Sequence, residues 1–318
     1  MRLTCRACAL ALLLSLAFAP AWAQAPLSEA DRAAVQLTAY GVAANQTYLT
    51  ASNTELKLDV YRPPTATEKT PVPVLVFIHG GGWIGGTKEG AVLQLLPYLE
   101  RGFAAVNVEY RLGRVARAPA AVEDCRCALR WIVRNAKRFG FDTSRIVVTG
   151  GSAGGHLALT TGFLRASDGL DYECGGAAPD TWANDKPEPE PKVAAIVNLF
   201  GITDVNAMLE GGEARGYAVE WLGSRADREQ VAKRVSPLTY VRPGVPPVIT
   251  IHGDNDKLVP YAQAVRLHDA LKKAGVANKL VTIPGGGHGG FTADQDATAY
   301  TAIFDFLVAE KVMEPAKK

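Results

Sequence analysis

Short apolar runs alternate with segments of helical periodicity along most of the chain. From Val72 onwards, runs rich in β-branched residues are followed by stretches whose apolar positions recur at helical spacing. This alternation favours parallel strands joined by crossover helices, whereas the earliest strands have no helix between them and should form an antiparallel edge. The pattern therefore predicts an α/β fold in three layers. The predicted strands are residues 56–61, 72–78, 104–109, 146–149, 193–199, 248–251 and 280–283, and the predicted helices are residues 91–100, 119–139, 152–164, 261–274 and 294–310.

Two stretches interrupt this alternation. Residues 166–192 are rich in Gly, Pro, Asp and Glu and should form an insertion loop that is ordered only if another part of the chain pins it. Residues 203–244 lie between two core strands and carry several large apolar side chains. Because such an excursion tends to lie over the carboxyl ends of the strands, we expect a partial lid there.

The first 23 residues have the pattern of a secretory signal peptide. Arg2 and Arg6 precede an apolar run at residues 9–19, and Ala-Trp-Ala at residues 21–23 is a small-x-small cleavage signal. A transmembrane anchor is the alternative, but the run is well short of the roughly 20 residues that span a bilayer. The sequence therefore predicts a secreted or periplasmic protein without stable membrane insertion, whose mature domain is residues 24–318.

The overall composition fits one globular domain. The chain has 318 residues, 48% of them hydrophobic, and a formal net charge of +2, so it is able to bury a large core. Lysine and arginine are scattered and form no basic stripe, which argues against nucleic acid as a partner. The composition leaves the oligomeric state open.

Export makes the cysteines candidates for a disulfide bond. The first two should leave with the signal peptide, and three remain. On the helix predicted at residues 119–139, Cys125 shares the apolar face whereas Cys127 points the opposite way. We therefore expect Cys127 to pair with Cys174 and Cys125 to be a core residue; a bridge from Cys125, or no bridge, is the alternative. The cysteines do not suggest a metal site.

The strongest local motif places a serine in a glycine-rich turn. Gly-x-Ser-x-Gly, with the serine at position 152, follows a β-branched strand and precedes a helical segment. In a nucleophile elbow the serine backbone is strained and the strand and helix pass very close, so small neighbours are needed. The turn also puts the hydroxyl at a helix N-terminus, where negative charge is favoured. The motif predicts Ser152 as a nucleophile, although serine also occurs in glycine-rich turns without a chemical role.

A second glycine motif, His-Gly-Gly-Gly-Trp at residues 79–83, directly follows a predicted strand. Its glycines expose backbone N–H groups, which are the donors that stabilise the oxyanion of a tetrahedral intermediate. A phosphate-cradling loop is the alternative, but the chain lacks both a following Gly-Lys-Ser/Thr and a Gly-x-Gly-x-x-Gly. The motif therefore favours acyl transfer over phosphate binding.

An acidic residue and a histidine follow in the order that a Ser–acid–His triad requires in this type of fold. Asp256 and His288 come after the last two predicted strands, at carboxyl ends where ligands bind in open α/β sheets. We predict that Ser152 attacks an acyl carbon, that His288 transfers the proton, and that Asp256 fixes the imidazole tautomer. Asp254, which we expect in a turn, and Asp204, which we expect to cap a helix, are the rival acids.

The other four histidines have structural interpretations. His79 and His156 flank the glycine motifs and should brace those loops. His252 ends a strand against the core, and His268 falls within a helix. Only His288 has a glycine-flanked loop position after the last strand.

Together these motifs resemble α/β-hydrolases of the hormone-sensitive-lipase-like and bifunctional feruloyl/acetylxylan-esterase type. The resemblance runs from about residue 56 to residue 306 and includes Leu-Asp-Val-Tyr-Arg-Pro at residues 58–63 and Ala-Leu-Arg-Trp at residues 128–131. It implies a three-layer α/β-hydrolase fold and a serine esterase that needs no cofactor. The site that it implies has a triad of Ser152, Asp256 and His288 and an oxyanion hole of Gly81, Gly82 and Ala153.

The resemblance leaves the substrate open between a small-molecule ester, a polysaccharide ester and an amide. Related proteins include esterases on plant polysaccharides, kynurenine formamidase-like amidases and prolyl-oligopeptidase-like catalytic domains. Predicted export favours external esters, such as acetyl or feruloyl groups on xylan. No propeller-length segment precedes the motifs, which weakens the peptidase hypothesis, but an amidase or peptidase of the same fold stays the alternative. A catalytically dead fold used for binding is a third hypothesis, which the complete triad argues against.

The walls of the substrate pocket are the least determined part of the predicted site. Trp83, Tyr110, Trp221 and Phe291 adjoin the motifs or lie in the predicted lid, and we expect them to contact the substrate. Each has the alternative of being plain core.

Overall fold

The computed structural model describes residues 38–174 and 188–315. Their strands are β1 (Gly41–Ala51), β2 (Thr54–Arg62), β3 (Val72–Ile78), β4 (Ala104–Val108), β5 (Phe141–Gly151), β6 (Ala195–Leu199), β7 (Val248–Gly253) and β8 (Asn278–Ile283). They form one sheet in the order β1-β2-β4-β3-β5-β6-β7-β8. The β1–β2 and β2–β4 pairs are antiparallel and the other pairs are parallel. The predicted three-layer α/β-hydrolase fold, with a mostly parallel sheet and an antiparallel N-terminal edge, is confirmed.

Helices cover both faces of this sheet. They are α1 (Leu96–Leu99), α2 (Ala120–Arg134), α3 (Ala136–Phe139), α4 (Ala153–Phe163), α5 (Gly216–Leu222), α6 (Arg228–Val235), α7 (Ala262–Lys273) and α8 (Ala293–Ala309). Within the described part of the chain, no helix combines the length and the apolar character needed to cross a membrane.

Three elements differ from the sequence prediction. The pattern missed β1, because most of its side chains are exposed and two register shifts break the alternation. The helix predicted at residues 91–100 is a 3-10 helix, Glu89–Leu95, that continues into the short α1. The helix predicted at residues 119–139 is interrupted at Asn135, whose side-chain amide donates to the carbonyl of Trp131 at 2.9 Å.

The sheet carries a hydrophobic core on each face. Successive side chains of a strand point to opposite faces, so in β3 Val74 and Val76 join one core while Leu75 and Phe77 join the other. Helices α2, α4 and α7 pack on the first face, and α1 and α8 pack on the second. This burial on both faces explains why the central strands are nearly continuous apolar runs in the sequence.

Residues 171–174 are tied to helix α2 by a disulfide and by buried ion pairs. The Sγ atoms of Cys127 and Cys174 lie 2.07 Å apart, whereas Cys125 is a buried free thiol. Two buried arginines of α2 donate to the carboxylate of Asp171 at 2.5 to 2.8 Å. Burial by itself raises the pKa of Asp171, but these arginines outweigh it and lower the pKa below its usual value. The carboxylate is therefore ionised and holds the loop against the helix.

One predicted segment lies wholly, and another partly, outside the described residues. The predicted signal peptide, residues 1–23, lies entirely outside them. The insertion predicted at residues 166–192 is described up to residue 174 and again from residue 188.

A buried cluster joins residues 203–244, the predicted lid, to the first glycine motif. The rings of Trp83 and Trp221 are stacked with their centroids 4.1 Å apart. The Trp83 Nε1–H donates to His156 Nδ1 at 3.1 Å, and the His156 Nε2–H donates to the carbonyl of Val235 at 2.7 Å. The neutral imidazole of His156 is thus fully paired and connects the glycine loop to helix α6.

Strand β5 and helix α4 pass so close to strand β3 that glycine is required where they meet. A Cβ atom on Gly154 would lie 2.1 Å from the carbonyl oxygen of Ile78, and one on Gly150 would lie 2.4 Å from the same oxygen. Neither glycine has a positive φ. Contact with the neighbouring backbone, and not a left-handed conformation, is therefore the reason for glycine at both positions.

Gly154→Ala should lower the free energy of unfolding by about 2–3 kcal/mol, because β3 or α4 must shift to admit the methyl group. The matched control is Gly216→Ala in α5, where an added Cβ meets no atom within 4 Å. The control should stabilise the protein slightly, by at most about 1 kcal/mol, through the higher helix propensity of alanine. Urea unfolding measures both variants, and equal effects would contradict the steric explanation.

Because of His156, the free energy of unfolding should also decrease as the pH is lowered. Burial lowers the pKa of its imidazole to about 3, and the hydrogen bond to Val235 offsets this only in part. An unfolded histidine binds its proton near a pKa of about 6.5. Between those two values the unfolded state holds more protons than the folded state, so stability is lost as the pH falls from the higher value to the lower. One such group contributes a slope of up to about 1.4 kcal/mol per pH unit.

His156→Gln removes this titration but keeps one acceptor for Trp83 and one donor for Val235. Urea unfolding of the native protein and the variant between about pH 7 and about pH 5 should give a shallower pH dependence for the variant. Parallel curves would show that His156 titrates alike in the folded and unfolded states.

Candidate active site

Ser152 occupies the sharp turn between strand β5 and helix α4. Its backbone has φ +59° and ψ −123°, a strained conformation that costs a non-glycine residue on the order of 1–3 kcal/mol. The Ser152 N–H donates to the carbonyl of Leu199 at 2.9 Å, and the His156 N–H donates to the carbonyl of Ser152 at 3.0 Å. These bonds hold the serine at the N-terminus of α4, at the carboxyl edge of the sheet.

Asp256 and His288 lie in the loops after β7 and β8 and are hydrogen-bonded to each other. His288 Nδ1 is 2.7 Å from Asp256 Oδ2. Because an ionised carboxylate only accepts hydrogen bonds, the proton of this bond belongs to Nδ1, and in the neutral form of the ring Nε2 is then the acceptor. The other oxygen, Oδ1, accepts from the N–H groups of Leu258 and Val259 at 2.8 and 2.9 Å. The carboxylate is thus fixed in orientation, and the imidazole has the tautomer of a general base.

A second histidine, His252 in strand β7, contacts the same carboxylate. Its Nε2 lies 3.2 Å from Asp256 Oδ2 and 3.0 Å from the carbonyl oxygen of Val259. Burial by itself raises the pKa of Asp256, but the hydrogen bonds from His252, His288 and the Val259 amide hold that pKa well below its usual range. Asp256 is therefore ionised at neutral pH. From the sequence, His252 was expected only to end a strand against the core. The signal that could have indicated its contact with Asp256 is the spacing of four residues between the two.

Ser152 and His288 line one cavity of about 370 Å³ at the carboxyl edge of the sheet. Gly81 of the first glycine motif lines it too, so the structure brings these predicted parts of the site together. Phe200, directly after β6, also lines the cavity and presents its ring edge-to-face to His288, with the centroids 4.7 Å apart. Sequence reasoning missed Phe200, whose only signal is its position after a core strand.

The first glycine motif forms a tight loop with positive φ at Gly81 (+114°) and Gly82 (+61°), conformations that glycine adopts readily. The N–H groups of Gly81, Gly82 and Ala153 donate to no acceptor among residues 38–174 and 188–315. Gly81 faces the cavity, whereas Gly82 packs beneath Tyr217, whose Cβ would lie 3.0 Å from a Cβ built on this glycine. Backbone donors without protein partners therefore lie in the loop and immediately after the serine.

The four predicted pocket walls divide into two groups. Trp83, Tyr110 and Trp221 are almost completely buried, and none of them is among the residues that line the cavity beside the serine. The two tryptophans stack on each other, and the Tyr110 hydroxyl donates to the backbone of the first glycine motif at 3.1 Å. This placement corrects the expectation for these three, because their rings are engaged in packing behind the loop. Phe291 lines a second cavity together with His288.

The rival acids have other partners. Asp254 accepts from the Gly285 N–H at 2.7 Å, and Asp204 accepts from the Ala207 N–H at 3.3 Å. Asp254 thus lies in the turn expected from the sequence, whereas Asp204 lies one residue before Val205, the N-cap of the short 3-10 helix Asn206–Met208. Among the described residues, no three or more His, Cys, Asp and Glu side chains form a group that could hold a metal ion.

The arrangement supports one type of chemistry. Ser152 at a helix N-terminus, His288 bound to an ionised carboxylate, and Gly81 line one cavity. The backbone N–H groups of Gly81 and of Ala153, directly after the serine, have no acceptor among the described residues. These are the groups that attack an acyl carbon, transfer its protons and stabilise the oxyanion.

Solved structures of esterases share this fold. Thermogutta terrifontis esterase 2, in its form phosphoramylated by tabun, aligns with a TM-score of 0.71 and 27% sequence identity, over 88% of this chain and 97% of that chain. A truncated form of a carbohydrate esterase from gut microbiota aligns with a TM-score of 0.69 and 26% identity, over 86% of this chain and 97% of that chain.

Curated relatives are similar over part of their length. Esterase LipQ of Mycobacterium tuberculosis is 30% identical over 224 residues, which cover 69% of this chain and 50% of LipQ. Esterase LipC of the same organism is 30% identical over 251 residues, which cover 77% of this chain and 59% of LipC. The chain thus spans about half to three-fifths of the length of these relatives. The family match covers residues 58–271, which is more than half of the chain, and the protein therefore belongs to the BD-FAE family.

Proposed function

We propose that the protein is a serine carboxylic ester hydrolase that works through an acyl-enzyme intermediate. The observation that carries the proposal is the 2.7 Å hydrogen bond from His288 Nδ1 to Asp256, made by a histidine that shares a cavity with Ser152. The names of the similar proteins, which include two esterases and a probable carboxylic ester hydrolase, support the same reaction class.

In the acylation step, Ser152 Oγ forms a bond to the acyl carbon while its proton passes to His288 Nε2. The carbonyl electron pair moves to oxygen, where the N–H groups of the glycine loop and of Ala153 stabilise the negative charge. When the carbonyl re-forms, the bond to the alcohol oxygen breaks and His288 gives its proton to that oxygen. Asp256 stays ionised throughout and stabilises the imidazolium.

In the deacylation step, water takes the place of the alcohol. His288 Nε2 accepts a proton from the water as its oxygen bonds to the acyl carbon, and the same N–H groups stabilise the second oxyanion. The bond to Ser152 Oγ then breaks, and the proton returns from His288 to the serine. The products are a carboxylic acid and the free serine, so the protein needs no other reactant.

Ser152→Ala should lower kcat for p-nitrophenyl acetate by about 10⁴-fold or more, because the acyl group has no atom to bond to. Thermal unfolding should show an intact fold. Ser224→Ala, which removes an exposed hydroxyl from the segment between α5 and α6, is the matched control and should keep the native kcat. Native turnover in Ser152→Ala would overturn the proposal.

We also propose residues 203–244 as a partial lid over the site. Tyr217 of α5 contacts Gly82 of the glycine loop, and its hydroxyl donates to the carbonyl of Leu258 at 3.1 Å. The stacking of Trp221 on Trp83 fixes the base of the same segment. These contacts support its position next to the glycine loop and the acid loop.

For the natural substrate we propose external acetyl or feruloyl esters of plant polysaccharide. The signal-like pattern of residues 1–23 supports export, and the gut carbohydrate esterase among the structural neighbours supports a carbohydrate ester. The protein should release acetate from acetylated xylan or ferulate from methyl ferulate, as measured by chromatography. If the protein hydrolyses p-nitrophenyl esters but neither acetylated xylan nor methyl ferulate, this choice of substrate is contradicted.

The predicted cleavage site has its own test. N-terminal sequencing of the exported protein should give Gln24 as the first residue, and any other first residue would contradict that site.

A further inference from the structure

A second cavity of about 400 Å³ adjoins the one beside Ser152. It lies where strands β6 and β7 end and helix α8 covers the sheet. An apolar cavity of roughly 150 Å³ already admits benzene, so a substituted phenyl ring fits here. Its apolar and aromatic walls include Phe200, Phe291, Ala299, Tyr300 and Ile303.

Phe200 forms the wall between the two cavities, because its ring lines both. The ring is wedged between two glycines: a Cβ atom on Gly151 would lie 3.2 Å from it, and one on Gly289 would lie 3.1 Å from it. The backbone of Phe200 has φ +42°, a strained value for an aromatic residue, and its N–H donates to the carbonyl of Ile251 at 2.8 Å. The position of the wall is therefore set by the backbone and by tight packing.

The reaction chemistry decides which half of an ester each cavity receives. The acyl carbon must bond to Ser152 and its oxygen must reach the glycine loop, and both of these line the first cavity and not the second. The alcohol oxygen must lie next to His288, which protonates it. Because His288 lines both cavities, the group carried by that oxygen is the part of the ester that extends past Phe200.

We infer that the second cavity is the binding site for the alcohol group of the ester, and that it takes alcohols with an apolar group or ring face of about the size of a phenyl ring, which includes the C–H face of a sugar ring. The inference rests on the proposed function and adds to it the place and chemistry of the leaving group. The polar side chains that line the cavity are those of Gln94, His288, Asp296 and Tyr300, and Asp296 is exposed on helix α8. A hydroxyl on the ring finds an acceptor there, whereas a negatively charged alcohol is repelled.

Two isomeric esters distinguish the halves of the substrate. Benzyl acetate carries the phenyl ring on the alcohol side, methyl phenylacetate carries the same benzyl group on the acyl side, and methyl acetate has neither. Both alcohols are unactivated, so differences in kcat/KM report binding of the ring and not an easier leaving group. For the native protein, kcat/KM should be at least about tenfold higher for benzyl acetate than for methyl acetate, which corresponds to about 1.4 kcal/mol.

Ala299→Phe fills the second cavity from helix α8. Ala299 is buried and lines the second cavity but not the first. The ratio of kcat/KM for benzyl acetate to that for methyl phenylacetate should fall by about tenfold or more. Ala297→Phe puts the same side chain on the exposed side of the same helix and should leave the ratio unchanged. Ala299→Leu is a smaller filling that should lower the ratio less, and it provides the test if Ala299→Phe does not fold.

Two outcomes would overturn the inference. In one, filling the cavity slows methyl phenylacetate and spares benzyl acetate, which would assign the cavity to the acyl group. In the other, the ratio stays unchanged in the filled variants.

Failure of the proposed function would look different, because the native protein would then hydrolyse none of the three esters. Calorimetry with benzyl alcohol still tests the cavity in that case. Ala299→Phe should raise the Kd by about tenfold relative to the native protein and to Ala297→Phe. Equal binding by all three proteins would overturn the inference on its own.

Discussion

The close passage of strand β5 and helix α4 beside strand β3 is the constraint on which the candidate site depends. It leaves no room for a side chain at Gly150 or Gly154, and Ser152, midway between them in the sharp turn, has a positive φ. The strain is tolerated because the Ser152 backbone is bonded on one side to strand β6 and on the other to its own helix. The result is a hydroxyl lifted out of the sheet and held at a helix N-terminus.

The same crossing positions the first glycine motif. A Cβ atom on Gly80 would lie 2.8 Å from the carbonyl oxygen of Gly151, so the loop after β3 is in direct contact with the turn that carries the serine. The N–H groups of the loop and of Ala153, which have no acceptor in the described part of the chain, thus lie after two neighbouring strands. The oxyanion hole that we propose here needs no side chain, because its donors are backbone N–H groups whose positions depend on backbone packing and not on residue chemistry.

Asp256 organises the other half of the site. A buried carboxylate is costly unless its lone pairs are used, and this one accepts from two backbone N–H groups and lies within hydrogen-bonding distance of two histidines. The backbone bonds shape the loop that carries the acid, and His252 contacts the acid from strand β7. These contacts favour the ionised carboxylate, which in turn gives His288 the tautomer that proton transfer requires.

The fold and the residues that meet at the candidate site could be predicted from the sequence because their signals are local. A glycine two residues to either side of Ser152, a glycine loop after a strand, and an acid and a histidine after later strands all appear within short segments. The edge strand β1 could not be predicted, because its exposed face and register shifts remove the alternating pattern. Composition also does not distinguish an apolar residue of the core from one that lines a cavity.

The tryptophans and Phe200 illustrate that limit. Trp83 and Trp221 looked like pocket walls because they adjoin motifs, yet each is buried by the other across a long stretch of chain. Phe200 directly follows the strand predicted at residues 193–199 and was given no role from the sequence, yet a positive φ turns its ring to the boundary between two cavities. Both facts depend on contacts between residues that are distant in sequence, which periodicity does not report.

The central claim is that Ser152 is the nucleophile, and covalent labelling tests it most directly. The folded protein should be treated with a fluorophosphonate, digested and mapped by mass spectrometry. The account predicts one adduct per chain, on Ser152, and no labelling after the protein has been unfolded in urea. An adduct on another residue, or no adduct on a folded protein that hydrolyses esters, would contradict it.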